Sequence, residues 1–196
     1  PISDERARSG LLSWVSQGDG FGVALASEDA AACGTKDSRV WLWLAEAGER
    51  DRTVRFAFTP FEGSEQDARL VAFGQEATHA VRAFAVDGHP GVRPAKHPFL
   101  DVARITDDGR LARGAASNVA VAEFAPASDG NGWMLRLFDA SGLAGDVEVE
   151  LDRPIFGVRR ADLGERAVGE LKAEPKRFTV RLGAWRIETV RFGWRP

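Results

Sequence analysis

The sequence predicts an all-β protein built from antiparallel β-sandwich units. Three observations carry this. Short runs rich in Val, Ile, Phe, Trp and Thr recur at spacings near ten residues, glycine-containing turn pairs stand between them, and apolar residues at the helical spacing i, i+3, i+4, i+7 are scarce. The 21 glycines and 9 prolines are scattered through the 196 residues and punctuate the chain throughout. With 44% hydrophobic residues there is enough apolar material for a core.

Taken in order, Gly18-Asp19-Gly20-Phe21-Gly22 reads as a turn opening the strand Val23-Ala24-Leu25. It is no phosphate loop, since neither a following helix nor a Lys-Ser/Thr pair is present. Arg39 to Leu44 is an apolar run dense in aromatics, and Thr53 to Phe58 alternates until Pro60 stops it. The two are expected to pair as a hairpin across the polar loop from Ala45 to Arg52. Ala80 to Val86 runs into Asp87-Gly88, a favoured turn pair, and Pro90, Pro94 and Pro98 hold the following chain extended.

A second hairpin is expected from Val119 to Phe124 and Trp133 to Phe138, on either side of Asp129-Gly130-Asn131-Gly132. Val147 to Asp152 alternates without a fault, so Val147, Val149 and Leu151 share one face and Glu148, Glu150 and Asp152 the other. Phe178 to Leu182 repeats that pattern. Between Ile187 and Val190 the apolar parity shifts, and a bulge near Glu188-Thr189 is the expectation. Ala161 to Leu171 is the best helical stretch, but its two glycines weaken it, and a loop with one turn is expected instead. A junction is expected within Thr106 to Arg110, or just after it near Ala115 to Ser117. That divides the chain into residues 1–112, part of a larger β-sandwich, and 113–196, a small C-terminal sandwich.

The 26 Lys and Arg against 29 Asp and Glu leave a net charge of −3, which argues against nucleic acid or a membrane surface as partner. Cys33 is the single cysteine, so no internal disulfide forms, and no apolar run approaches the roughly 18 residues of a membrane helix. A cytoplasmic, reducing setting is the expectation. The chain opens Pro1-Ile2-Ser3-Asp4-Glu5-Arg6, without a Met start or the layout of a signal peptide, and is expected to be a piece of a longer protein.

Catalytic constellations are missing from the pattern. His79, His89 and His97, spaced ten and eight apart, fit no compact zinc motif. Glu148, Glu150 and Asp152 lie on one strand face and do not oppose each other across a bond to be cut. No Gly-x-Ser-x-Gly turn occurs, and Cys33 has only Lys36 nearby to lower its pKa, so it reads as a small packing residue. No catalytic residue, metal or cofactor is assigned to the chain itself. An exposed row of tryptophans would suggest sugar stacking, but Trp41 and Trp43 share a face of an apolar strand, and Trp133 shares one with Leu135 and Leu137. Core is the expectation for these.

Order and spacing of several segments nevertheless carry a resemblance. Ser117 to Gly142 resembles the C-terminal region of glycoside hydrolase family 38 α-mannosidases, in which an N-V-x-x-x-x-x-x-P-A strand, an acidic Gly-rich turn and an L-R-L-(F/Y)-(N/D)-x-S-G strand follow one another. Ala161-Asp162-Leu163-Gly164-Glu165-Arg166 is similar to the family's (T/A)-(D/N)-L-L-E-R segment, and Phe178 to Phe192 resembles its closing strand pair. Upstream, Ser13-Trp14-Val15 and Gly20 to Leu25 are similar to an earlier strand of the family. Ser27 to Ala32 departs from the family's N-D-x-K-Y-G stretch.

The resemblance implies a larger supersandwich followed by a smaller immunoglobulin-like sandwich. It also implies the non-catalytic C-terminal β domain of a zinc-dependent retaining α-mannosidase. Zinc, its ligands and the aspartate nucleophile then belong to an N-terminal α/β domain and the segment after it, whose motifs do not occur here. That domain is the implied partner, and mannose-containing glycans are reached through the parent enzyme. Some members place an arginine followed by glycine on a hairpin loop against the sugar. Asp51-Arg52-Thr53 stands at that hairpin with Thr for Gly, which makes Arg52 the one substrate-binding candidate, beside the alternative of a solvated hairpin arginine. A free-standing carbohydrate-binding or adhesive module is the second functional class.

Overall fold

All strand pairs among the described residues are antiparallel, and they follow from alternating segments joined by short turns. The computed structural model describes residues 14–18, 20–27, 29, 32–36, 39–43, 53–64, 69–78 and 98–194. The chain divides into two units, Pro1–Phe84 and Ala85–Pro196.

In the first unit, β1 (Trp14–Gly18), β2 (Phe21–Ala26), β3 (Ala32–Lys36), β4 (Arg39–Trp43) and β5 (Ala57–Glu62) precede one helix, α1 (Leu70–Thr78). The glycine-rich turn joins β1 to β2 as expected, with Gly18 opposite Gly22. The expected hairpin between the segments 39–44 and 53–58 does not form. β4 pairs with β3, its nearest neighbour in sequence, and β5 pairs with β2 in the order β1-β2-β5. Short loop closure favours the first pairing. Pro60 does not stop β5 either: it lies within the strand opposite Val23, tolerated because β5 is at the edge of this three-stranded sheet. Helix α1 was not expected. Leu70, Gly74 and Thr78, four residues apart, are its buried positions, and it packs against β1 and β2. The missing side chain of Gly74 suits a buried helix face, and Thr78 Oγ1 donates to its carbonyl at 2.7 Å. The segment Ala80 to Val86 and the stretch carrying Pro90 and Pro94 lie outside the described residues.

The second unit is a two-sheet sandwich. β6 (Leu100–Ile105), β7 (Leu111–Arg113), β8 (Val119–Pro126), β9 (Trp133–Asp139), β10 (Gly145–Leu151), β11 (Ile155–Ala161), β12 (Ala167–Glu170), β13 (Arg177–Leu182) and β14 (Ile187–Trp194) form sheets ordered β13-β10-β6-β7 and β12-β11-β14-β9-β8. Inward residues of both sheets meet in one core, with Leu135, Leu137 and Val190 from one and Val147, Val149, Phe178, Val180 and Leu182 from the other. Alternation in β10 and β13 places their apolar residues inside as the pattern predicted. At one end Trp133 stacks on Phe124 with ring centroids 5.2 Å apart, and Trp194 packs edge-on against Phe192 at 5.3 Å.

Three expectations need correction here. The stretch 106–117, read as the junction behind a 1–112 and 113–196 division, lies inside the second unit. Thr106 and Arg110 close the β6–β7 hairpin through Thr106 N–H to Arg110 O at 2.9 Å, and β6 pairs with β10 far along the chain. Asp-Gly composition marks a tight turn as readily as a linker. The bulge expected at Glu188-Thr189 is absent, since β14 runs in unbroken register on β9 from Ile187–Phe138 to Phe192–Trp133. Ile187 faces outward, and the core-side position beside it belongs to Glu188, which accepts from Arg160 Nε and Nη2 at 2.6 and 2.7 Å. The bulges lie in β8, between Val121 and Glu123, and in β11, between Phe156 and Arg159. Segment 161–171 contains the one expected turn, over Asp162 to Arg166, but continues as strand β12.

Among the described residues no helix is long and apolar enough to cross a membrane. Leu137 is fully buried, whereas Ile187 in the facing strand is 48% exposed. Leu137→Ala is therefore expected to cost about 2–5 kcal/mol and Ile187→Ala no more than about 0.5–1 kcal/mol. Urea unfolding followed by tryptophan fluorescence checks the difference.

Candidate functional site

Among the described residues, those singled out for chemistry do not assemble into a reactive centre. Arg52 and the three histidines His79, His89 and His97 lie outside the described residues. Cys33 stands in β3 opposite Leu42. Glu148 is occupied by Arg177 at 3.6 Å, Glu150 is exposed on the same strand, and among the described residues no three His, Cys, Asp or Glu side chains group as a metal site requires. Trp133 and Trp194 pack on the core, as expected for Trp133; Trp41 departs from that expectation at 40% exposure, and Trp185 is 58% exposed.

The most concentrated polar constellation is instead built around Asp139, the last residue of β9, whose side chain is fully buried. Its Oδ1 accepts from the Ser141 hydroxyl at 2.7 Å and from the Ser141 N–H at 3.3 Å, and it forms an ion pair with Arg104 Nη2. Its Oδ2 accepts from the Gly142 N–H at 2.8 Å and the Trp185 N–H at 2.9 Å. Arg104 comes from β6 in the opposite sheet and spends its other donors on backbone: Nε on Ser117 O at 2.8 Å and Nη1 on Leu143 O at 2.6 Å. One carboxylate and one guanidinium thus join both sheets, the 3-10 turn Gly114–Ser117, the β9–β10 turn and the β13–β14 turn.

Electrostatics agree with that geometry. Burial alone would push the Asp139 carboxyl up. The Trp185 N–H, the Ser141 hydroxyl and N–H, and Arg104 outweigh it and hold the group below the ordinary carboxylate range. Trp185 adopts a left-handed backbone conformation, φ 54°, as its N–H reaches Asp139. Its indole then lies over Gly142, where an added Cβ would meet Nε1 at 2.6 Å. Serine as donor and glycine as floor account for the Asp139-x-Ser141-Gly142 spacing.

A second network lies on the outward face of the five-stranded sheet. The turn Asp162–Arg166 folds over it: Arg136 Nη2 donates to Leu163 O at 2.9 Å, and Arg191 Nη1 to Glu165 O at 3.0 Å. Glu165, itself at φ 64°, accepts from the Ser128 N–H and hydroxyl at 2.8 and 3.0 Å. Arg191 Nη2 meets both Asp129 oxygens at 2.8 Å, so the β8–β9 turn and the 162–166 turn are clamped together. Met134 and Thr189, which point outward on central strands, are buried.

These two networks fall in the segments that carried the family resemblance. Residues 118–190 match the family model described as the Glycosyl hydrolases family 38 C-terminal beta sandwich domain. The match runs from the residue before β8 into β14, so it covers β8 to β13 and the start of β14 and leaves β6 and β7 outside, in the stretch that carried the resemblance. No curated protein matches the chain. Within the matched stretch, Asp139, Ser141, Gly142 and Glu165 are engaged in holding turns and sheets. Arg104 escaped sequence reasoning because a lone arginine in an alternating strand looks like any surface residue. Asp139 carried a local signal, an acidic residue two positions before Ser-Gly at a strand end, which is an Asx-type turn.

Removing one partner of a buried pair costs more than the pair itself is worth. Asp139→Asn is expected to cost about 3–5 kcal/mol at neutral pH, measured by urea unfolding. The sign with pH follows from the lowered folded pKa: the Asp139 contribution is complete above the unfolded value near 4 and is lost as pH falls through the folded value. Unfolding midpoints should therefore fall less steeply toward acid in Asp139→Asn than in the parent chain.

Proposed function

We propose that the chain is the non-catalytic C-terminal β region of a zinc-dependent retaining α-mannosidase, with an N-terminal catalytic domain as its partner. The observation that carries this is the family 38 match over 118–190, together with the purely structural engagement of the matched residues. In this reading zinc and the nucleophile reside in the catalytic domain and supply the bond-cleaving chemistry there. The described residues hold no cluster fitted to the metal. The sandwich serves as a rigid scaffold for that domain, in a cytoplasmic enzyme acting on mannose-containing glycans.

Arg52 is the proposed direct contribution of this chain to the sugar site. Its planar guanidinium suits a forked pair of hydrogen bonds to neighbouring hydroxyls. In the full-length enzyme, Arg52→Ala is expected to lower kcat/KM by roughly ten- to hundredfold, the loss of a charge-assisted contact worth about 1.5–3 kcal/mol. Arg50→Ala is the control, and steady-state kinetics on an activated α-mannoside is the measurement. Unchanged kinetics in both variants would remove Arg52 from the site. The 196-residue chain alone, supplied with zinc, is expected to show no turnover of the same substrate; turnover that tracks the purified chain and vanishes on denaturation would contradict the non-catalytic reading.

A further inference from the structure

At the Trp133 end of the five-stranded sheet the surface opens into a shallow groove with a volume of about 770 Å³, bounded by the β8–β9 turn, the start of β11 and the end of β14. Phe156 is its most exposed aromatic side chain, 50% accessible although it begins a central strand. The bulge between Phe156 and Arg159 shifts the register there, and the ring lies flat against Gly193 of β14, where an added Cβ would meet ring carbons at 2.5–2.9 Å. One face of the ring is therefore supported by backbone while half of its surface stays open to solvent.

The polar groups around that ring are mixed in sign and hydrogen-bonding character. Arg159 is exposed, and among the described residues its guanidinium makes one long contact, Nε to Gly157 O at 3.5 Å, leaving both terminal nitrogens to donate. Asp129 is held ionised by the Arg191 hydrogen bond and by the Asn131 N–H, and each of its oxygens retains acceptor capacity. The Asn131 amide adds a donor and an acceptor beside it. A phosphate or sulfate ligand would want an excess of positive charge, but Asp129 offsets Arg191 here, and Arg159 stands opposite Glu170 in the β11–β12 register. Adjacent hydroxyls, which donate and accept at once above an apolar ring face, match the set better.

We propose that this groove binds a neutral oligosaccharide, with Phe156 as the stacking platform and Arg159, Asp129 and Asn131 as the hydroxyl contacts. The site stands on second-unit side chains alone, so it holds whether or not the parent cleaves mannosides. It would retain a glycan chain on the non-catalytic sandwich.

The test is isothermal titration of the 196-residue chain with α-mannotriose, maltotriose and xylotriose, and with a heparin-derived hexasaccharide as the charged probe. At least one neutral trisaccharide is expected to bind. Phe156→Ala should weaken that binding about tenfold or more, Arg159→Met should weaken it several-fold, and Ile187→Ala at the far end of β14 should leave it unchanged. Circular dichroism establishes that each variant is folded. If Phe156→Ala does not fold, Arg159→Met carries the comparison. Absence of binding by all three neutral sugars up to about 10 mM overturns the proposal. So does affinity for the heparin probe alone, or neutral-sugar binding that survives both groove substitutions.

Discussion

The second unit depends on the buried ion pair between Arg104 and Asp139. Two apolar sheet faces attract each other without direction, and burial by itself does not fix how their end turns dock. The pair supplies that direction. Asp139 ends β9 and collects donors from two turns and the facing sheet, while Arg104 binds two backbone carbonyls that would otherwise be left at the sandwich end. Desolvating both ions is costly, and the cost is offset here because nearly every donor and lone pair finds a partner. The strained backbone of Trp185 and the bare Cα of Gly142 follow from the same centre.

The outward clamp around Arg191 and Glu165 performs a related task on the other side of the sheet. It fastens a turn over outward positions that would otherwise expose Met134, and brings the 162–166 segment to the β8–β9 turn. A family signature drawn through these residues therefore records how the sandwich is assembled. That explains how a chain can match a glycosidase family over 118–190 while its matched carboxylates are committed to holding structure. It also leaves the surface between the turns, where Phe156 and Arg159 project, free to carry a function of its own.

Much of the second unit was legible because its strands have one buried and one outward face, so Val147-Val149-Leu151 and Phe178-Val180-Leu182 declare their register by period two. The β8–β9 hairpin was legible from its turn residues. Pairing in the first unit was not, because apolar runs such as Arg39–Trp43 and Ala57–Glu62 accept several partners, and the choice is made by loop length and neighbouring strands. Glu188 misled the parity argument since a paired charge occupies a position reserved for apolar residues. Phe156 was hidden for a similar reason: the Phe-Gly break in alternation marks a bulge, but only the folded sheet shows the ring lying over Gly193. Arg52, named through resemblance alone, lies outside the described residues.

The central claim, that an ionised and fully satisfied Asp139 organises the sandwich, is tested most directly by following its side-chain carboxyl carbon through an NMR pH titration of the folded chain. The account predicts a midpoint below the value of about 3.9 found for an unperturbed aspartate, with the Gly142 and Trp185 amide resonances moving in the same step. A midpoint at or above that value, or amides that ignore the titration, would contradict it.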